Sequence, residues 1–412
     1  MKNEIIQGDS LEVLKTFDDD CIDLIASDPP YQLGIQKPGV PSSTDQSERL
    51  KKGFMGKEWD ILPQVSLLKE CLRVLKPGAF SFWLMTPRQD SQSEFIIRLK
   101  QAGFNIGFTP LYWTYASGFP KAGNISKMVD KRMGAEREVV GKDNHFGKAG
   151  YSLGIGGQEW DLKPNPITPQ AKALDGSYAG YQPKPAVEII IVAMKPLSEK
   201  TYIDQALKNN KGITWLDDVR VPYESNDKSN DYGKYKGGTE YQANTQGRFP
   251  ANLLVSDDVL GNKFSRYFNL DKLPKSVKET FPFMIVPKTS SGEKNDGIKG
   301  VEEKKMEYET TTRTNKETAD KFGCERKAIA KNTHPTVKPT KLMEYLITLG
   351  SREGDLILDP FVGSGTTCIS ARGLSRDFIG IERDKTYHKI ATARLKQHLE
   401  QTKLHEAQWR LS

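Results

Sequence analysis

Two short stretches of this chain hold residue types that could do chemistry together. Asp28-Pro29-Pro30-Tyr31 lies near the N-terminus, and Asp359-Pro360-Phe361-Val362-Gly363-Ser364-Gly365 lies near the C-terminus. In the first stretch Asp28 offers an acceptor to one N–H of an amine. The Pro29 carbonyl offers a second, because the Pro29-Pro30 pair fixes the turn and proline has a C=O but no N–H. The amino nitrogen of adenine or cytosine is a poor nucleophile, since its lone pair is delocalised into the ring. Two acceptors pull that nitrogen toward a tetrahedral state and free the pair. Tyr31 is suited to stack on the flat face of the base. Inside a duplex the base is paired and stacked, so such a site reaches it only after it has flipped out.

The second stretch suits a nucleoside ligand. Leu356-Ile357-Leu358 reads as a buried strand ending in the carboxylate of Asp359, after which Gly363-Ser364-Gly365 opens a helix. Glycines there let the backbone turn tightly and approach a ligand closely. An ordinary strand-to-helix turn would use the same glycines. Glu382, at the end of the following strand, adds a carboxylate placed to accept both hydroxyls of a ribose. A nicotinamide-binding turn would want a third glycine where Cys368 stands. S-adenosylmethionine carries no phosphate and needs no such glycine, and acidic groups suit its ammonium and sulfonium charges.

Other chemistries find less support. Methylation at cytosine C5 needs a nucleophilic cysteine, usually after a proline. The four cysteines follow Asp20, Glu70, Gly323 and Thr367 instead. They are scattered, with no Cys-x-x-Cys pair, which argues against a disulfide framework or a zinc site and fits a reducing compartment. His145 and His388 lack ligand spacing, and no metal is expected. Mean hydropathy is −0.58, and no apolar run approaches the roughly 20 residues that span a bilayer, so no membrane partner is expected. The N-terminus leads straight into strand-like sequence with no signal peptide. The net charge of +7 suits a polyanionic partner, though many proteins share it.

The elements that must position these residues alternate in type. Strands are expected at Asn3–Gly8, Ile22–Ser27, Ala79–Met85 and Phe104–Tyr115, with helices at Ser10–Phe17, Gln64–Leu75 and Asp90–Ala102. Such alternation implies a largely parallel sheet covered by helices. Residues 116–183 and 198–280 are polar and loop-like, around a strong strand at Pro185–Lys195. Phe281–Pro287 reads as a further strand, and 288–333 as a charged, partly mobile stretch. Order returns with helices at Thr340–Leu349, Thr366–Arg372 and Lys385–Leu399 and strands at Asp355–Asp359 and Phe378–Glu382. Tyr112-Trp113 reads equally as core or as lining of a base pocket.

In these motifs and their order the chain resembles the β-class amino-methyltransferases of DNA, a family of restriction–modification and phage enzymes. The resemblance covers the first ~115 and the last ~80 residues. In that family the Asp-Pro-Pro-Tyr motif precedes the recognition region and the cofactor motif comes last, which is the order here. Gly8-Asp9-Ser10 is similar to a further cofactor motif, with Asp9 near the adenine of S-adenosylmethionine. His334-Pro335-Thr336-Val337-Lys338-Pro339 looks like the segment that seats its methionine end. Leu75-Lys76-Pro77-Gly78 and Gly380-Ile381-Glu382-Arg383-Asp384 match too. Gly118-Phe119-Pro120-Lys121 and Arg248-Phe249-Pro250-Ala251-Asn252-Leu253-Leu254 look like phrases of phage-type members.

The resemblance implies a doubly wound, circularly permuted α/β sheet with an inserted target-recognition region. Residues 1–115 would form the catalytic half and 334–412 the cofactor half. The recognition insertion would comprise 116–183 and 198–280, with 184–197 and 281–333 supplying strands and a mobile connection. Asp28, Pro29, Pro30 and Tyr31 would be catalytic. Asp9, Ser10, Thr336, Lys338, Asp359, Pro360, Phe361, Gly363, Ser364, Gly365 and Glu382 would hold S-adenosylmethionine. The implied activity is methyl transfer to adenine N6 in double-stranded DNA, in the cytoplasm of a bacterial or phage-infected cell. Asp28 leans toward adenine, because Ser is common at that place in cytosine-N4 enzymes. Cytosine-N4 methylation, a silent DNA-binding protein of the same fold, and an RNA substrate stay open. So does a homodimer, which several family members form.

Overall fold

A computed structural model describes residues 2–32, 59–114, 123–143, 160–162, 165–179, 187–220, 249–255, 294–295, 304–305, 329–330 and 336–409. The expected strand Phe281–Pro287, the motif Gly118–Lys121, His145 and His334-Pro335 lie outside these residues. The chain divides into two compact units, Met1–Ala116 with Val187–Ser412, and Ser117–Ala186.

The larger unit is built on an eight-stranded sheet in the order β1-β12-β11-β2-β3-β7-β4-β8. The strands are β1 (Glu4–Gln7), β2 (Leu24–Ser27), β3 (Phe80–Met85), β4 (Leu111–Thr114), β7 (Val187–Met194), β8 (Leu253–Val255), β11 (Leu356–Asp359) and β12 (Asp377–Glu382). Every neighbouring pair is parallel except those made by β7, which runs antiparallel to both β3 and β4. The first and last strands are partners, with Gln7 opposite Glu382, and Gly8 N–H donates to the Glu382 carbonyl at 2.9 Å. A separate short antiparallel pair joins β9 (Lys304–Lys305) and β10 (Ile329–Ala330).

Alternation along the strands builds two apolar layers. In β3, Phe80, Phe82 and Leu84 face one side with β7's Ile190 and Met194. They meet Leu342 and Leu346 of α7 (Thr340–Gly350) and Cys368 and Ile369 of α8 (Thr366–Gly373). Trp83 and Met85 face the other side with Ile189 and Ile191. There they meet Leu14 of α1 (Ser10–Leu14), Leu68 and Cys71 of α2 (Val65–Val74), and Phe95 and Leu99 of α3 (Gln89–Ala102). The result is the doubly wound α/β arrangement expected from the sequence, with helices on both faces. α9 (Lys385–Trp409) runs on from β12. Trp113 is 2% exposed and belongs to the core, which settles its alternative role as pocket lining in favour of packing.

Three expectations need revision. The strand expected over Phe104–Tyr115 is confined to Leu111–Thr114, because Pro110 cannot extend the ladder and Asn105 makes only an isolated bridge to Met194. Residues 198–220, expected as part of an insertion, belong to the larger unit. There α6 (Tyr202–Asn209) is capped by Thr201, whose side chain accepts from Asp204 N–H, and ends at Asn210 in the left-handed conformation with φ 58°. The buried Lys211 side chain then joins Asp23 at 2.9 Å and Asp355 at 2.8 Å, tying this segment to β2 and β11. Finally β8, within the expected 198–280 insertion, pairs with β4 as the sheet's last strand.

The smaller unit packs α4 (Ile125–Arg132) with α5 (Pro169–Ala173) and also holds the antiparallel pair β5 (Gly141–Asp143) and β6 (Trp160–Leu162). Its polar centre is Asp130, which pairs with Arg137 at 2.6 Å and accepts from the Thr168 hydroxyl and backbone and from Ile167 N–H.

Candidate active site

At the C-terminal ends of the parallel strands lies a cavity of about 910 Å³, where doubly wound sheets place their ligands. Two neighbouring strands bring the two motifs into it. β2 and β11 pair with Leu358 opposite Ile25, and the Ser27 hydroxyl donates to Asp359 Oδ1 at 2.5 Å. Asp28 through Tyr31, Asp9, Ser10, Thr336, Lys338, Asp359, Pro360, Phe361, Gly363, Ser364 and Glu382 all line the cavity. Trp59, Asp60 and Tyr387, none of them singled out from sequence, line it too, as does Asp384 of the quoted Gly380–Asp384 motif.

Gly365 is absent from the lining. It stands behind the turn as the residue before α8, at φ 85°, with Ala391 of α9 closing on it. A Cβ there would lie 3.1 Å from the Ala391 Cβ and 3.3 Å from its carbonyl oxygen. Backbone geometry and helix packing by themselves call for glycine there.

The close helix–strand approach that a third glycine would give at position 368 is supplied from the other side. Gly380 on β12 faces Cys368, and a Cβ on Gly380 would sit 2.8 Å from the Cys368 Sγ and 2.8 Å from Val362 Cγ2. The turn itself is held by Asp359. Its Oδ1 accepts from Phe361 N–H at 3.0 Å and its Oδ2 from the Thr367 hydroxyl at 2.5 Å. Asp9 caps α1 through Leu11 N–H at 3.0 Å, and the Ser10 hydroxyl donates to the Pro360 carbonyl at 2.6 Å.

Glu382 accepts from Gly363 N–H at 2.9 Å and from Asp384 N–H at 2.8 Å, one bond to each carboxylate oxygen. A carboxylate has about four lone-pair sites, so two remain for hydroxyl donors. Burial pushes its pKa up to about 7, with Asp384 and Asp359 adding to the rise and the two N–H bonds opposing it. Burial likewise pushes Asp359 up to about 6 against its three hydrogen bonds. This wall therefore carries an excess of acid groups. It suits a ligand with hydroxyl donors and positive charge, and it opposes a pyrophosphate.

At the other end of the cavity Asp28 is gripped from two sides. The Tyr31 hydroxyl donates to its Oδ1 at 2.5 Å, and Lys338 Nζ donates to its Oδ2 at 2.7 Å. Lys338 also lies 3.0 Å from the Tyr31 oxygen and 3.3 Å from Glu188 Oε2 on β7. Expected from sequence among the cofactor residues, Lys338 is found in the structure against Asp28. Glu188 was legible only as one residue of an apolar strand. His388, taken as structural, bonds through Nε2 to the Ile5 carbonyl at 2.9 Å.

A family model described as DNA methylase, for the N6 and N4 enzymes, matches residues 22–393. The chain belongs to this DNA methylase family. It is 58% identical over 62 residues to the type II methyltransferase M2.DpnII of Streptococcus pneumoniae, a match covering 15% of this chain and 23% of that protein. It is 55% identical over 62 residues to M2.LlaDCHI of Lactococcus lactis subsp. cremoris, with the same shares. The matched segment thus spans under a quarter of these relatives. Among solved structures, the PvuII DNA methyltransferase (cytosine-N4-specific) is 17% identical, covers 95% of this chain and 85% of its own, and has a TM-score of 0.44. A putative DNA modification methylase of Thermus thermophilus, complexed with S-adenosyl-L-methionine, is 16% identical with a TM-score of 0.39, covering 96% and 95%. Among the described residues, no helix is long and apolar enough to cross a membrane.

Proposed function

We propose that this protein is an S-adenosylmethionine-dependent DNA methyltransferase acting on adenine N6. The observation that carries the reading is the shared cavity: the Asp28–Tyr31 turn and the acid-lined Gly363–Glu382 wall open into one space. Glu382 would hold the ribose hydroxyls, and the acidic surroundings would favour the cofactor's ammonium and sulfonium groups. When bound, the cofactor supplies an activated methyl group. Asp28 and the Pro29 carbonyl accept the two N–H bonds of the flipped base and orient its nitrogen lone pair. Tyr31 lies against the base face, and the site holds the base nitrogen in line with the methyl group.

Cytosine N4 is the second reading, since the same two acceptors fit either amine and the family contains both activities. The test is expression in a methylation-free host followed by genome-wide mapping of modified bases. N6-methyladenine at one sequence motif is the expected result; N4-methylcytosine refutes the choice of base, and an unmodified genome refutes the activity. Asp28→Ala should lose the modification while the protein still folds, since one preorganised transition-state contact is worth about 10²–10³ in rate.

Residues 116–183, all but the first within the compact unit Ser117–Ala186, together with the part of 198–280 outside 198–220 and β8, are proposed as the region that reads DNA sequence. The order of the motifs and the pairing of β1 with β12 support a circularly permuted sheet.

A further inference from the structure

We propose that Glu188 is the standing counter-ion of Lys338, a positioning residue that leaves Asp28 free to take the proton given up by the methylated amine. The inference rests on the methyl-transfer reading above and adds a residue from the strand that runs against all the others. Glu188 lies opposite Trp113 near the start of β7, and its carboxylate reaches Lys338 at 3.3 Å and the Tyr31 oxygen at 3.5 Å. Lys338 therefore sits between two carboxylates, Asp28 at 2.7 Å and Glu188, with its own side chain 8% exposed.

The arrangement answers a charge problem in the reaction. The nitrogen lone pair forms a bond to the methyl carbon as the sulfur–carbon bond breaks, and that bond's electron pair stays on sulfur. The nitrogen now carries a positive charge and must lose a proton. The proton passes to an Asp28 oxygen, while the N–H electron pair returns to nitrogen. Across this step the cluster of Asp28, Glu188 and Lys338 goes from one net negative charge to none. Were Lys338 paired with Asp28 alone, the ammonium would hold that carboxylate ionised and make it a weak proton acceptor. Protonating Asp28 would also leave a buried ammonium without a partner, which is costly. Glu188 removes both difficulties, because one full ion pair persists before and after the transfer.

The groups facing Asp28 point the same way. Burial pushes the Asp28 carboxyl up, and Glu188 adds to this against the pull of Lys338 and the Tyr31 hydroxyl. Burial opposes the charge on Lys338, yet Asp28 and Glu188 hold its pKa above the ordinary lysine value. Asp359, on neighbouring β11, is a further acid that interacts with Asp28, and its hydrogen bonds go to Ser27, Phe361 and Thr367.

The experiment is single-turnover transfer from tritiated S-adenosylmethionine to genomic DNA of a methylation-free host, across pH. Glu188→Gln should lower the rate at neutral pH on the order of tenfold and move the acid limb of the profile to lower pH, since Asp28 then has Lys338 to itself. Lys338→Met should move the limb to higher pH. Glu188→Asp should return it to the wild-type position. Binding of S-adenosylhomocysteine, measured by calorimetry, should be unchanged in Glu188→Gln. Carbon-13 NMR of the Asp28 carboxyl in the full-length protein without DNA should show the same opposite displacements in its titration. Limbs and titrations that stay at the wild-type position in both Glu188→Gln and Lys338→Met overturn the role of Glu188. A wild-type protein that transfers no methyl group overturns the parent reading, while the NMR titration still reports on the cluster.

Discussion

Replacing Glu382 by Gln should change the pH dependence of both stability and cofactor binding. The Glu382 carboxyl rises from its ordinary 4.5 to about 7, burial being the main cause. A rise of that size corresponds to about 3 kcal/mol. The sign follows from the raised folded value. Below pH 4.5 the group is protonated whether folded or unfolded, so it contributes nothing. Between pH 4.5 and 7 the unfolded chain releases the proton while the folded protein keeps it, and stability falls as pH rises through this window. Glutamine cannot ionise. It also offers one acceptor where Gly363 N–H and Asp384 N–H now use two, which costs about 1–3 kcal/mol at all pH values. The stability of Glu382→Gln relative to wild type should therefore start negative at pH 4.5 and climb by about 3 kcal/mol by pH 8. Urea unfolding at four pH values measures it.

Cofactor binding runs the opposite way. Ribose hydroxyls need the ionised carboxylate, so wild-type affinity for S-adenosylhomocysteine should weaken as pH falls below about 7, approaching tenfold per pH unit. The glutamine variant should bind weakly, with that pH dependence gone. If its stability difference is flat with pH, or its binding keeps the wild-type slope, Glu382 is not the buried acid that receives the cofactor.

Two further outcomes follow from packing and unit boundaries. Gly380→Ala should destabilise the protein by about 1–3 kcal/mol, because its methyl would strike Cys368 and Val362 at 2.8 Å; Cys368→Ala should recover part of the loss in a double-mutant cycle, and additive losses would show that the contact is not the cause. Exchanging Ser117–Ala186, a compact unit, for its counterpart from a relative of different specificity should change the methylated sequence; a folded, active chimera that keeps the original sequence would place recognition elsewhere.

The legible part of the fold was the part organised by apolar burial. β3 and β7 announce themselves because their apolar residues fill both faces of a covered strand. The polar region hid α6 for the converse reason. Its apolar residues Ile203 and Leu207 are exposed, while its buried residue is Gln205, whose side-chain oxygen accepts from Ser198 and Glu199 N–H. A helix seated through a polar side chain leaves no apolar rhythm to detect. Its ends were marked, however, by Thr201 with Asp204 three residues on, and by Asn210, which tolerates positive φ.

The candidate site divides along a similar line. Local chemistry marked Asp28, Tyr31 and Glu382, because each stands at a strand end inside a recognisable turn. Lys338 was expected among the cofactor residues, but its place against Asp28, and any part for Glu188, became legible only when chain segments separated by 310 and 157 residues met around Asp28 and Tyr31. No spacing rule encodes that meeting; it follows from β7 entering the sheet against the direction of its neighbours and presenting Glu188 beside the β2 turn.

That meeting also bears on how a net-basic chain admits the correct end of its substrate. The chain carries +7 overall, which draws a polyanion toward it. The cavity holds the opposite balance, with Asp9, Asp28, Asp60, Asp359, Glu382 and Asp384 on its walls against Arg383 and a Lys338 already matched by two carboxylates. Phosphate is repelled from such a space, a neutral base is not, and a sulfonium is attracted. On the methyl-transfer reading, this sorting brings DNA to the surface while only a flipped base and the cationic cofactor enter. A Lys338→Met variant makes the argument sharper, since it raises the cavity's negative charge without touching the outer surface. It should bind S-adenosylmethionine more tightly relative to uncharged-sulfur S-adenosylhomocysteine than wild type does. An unchanged ratio by calorimetry would show that the carboxylates do not discriminate by charge.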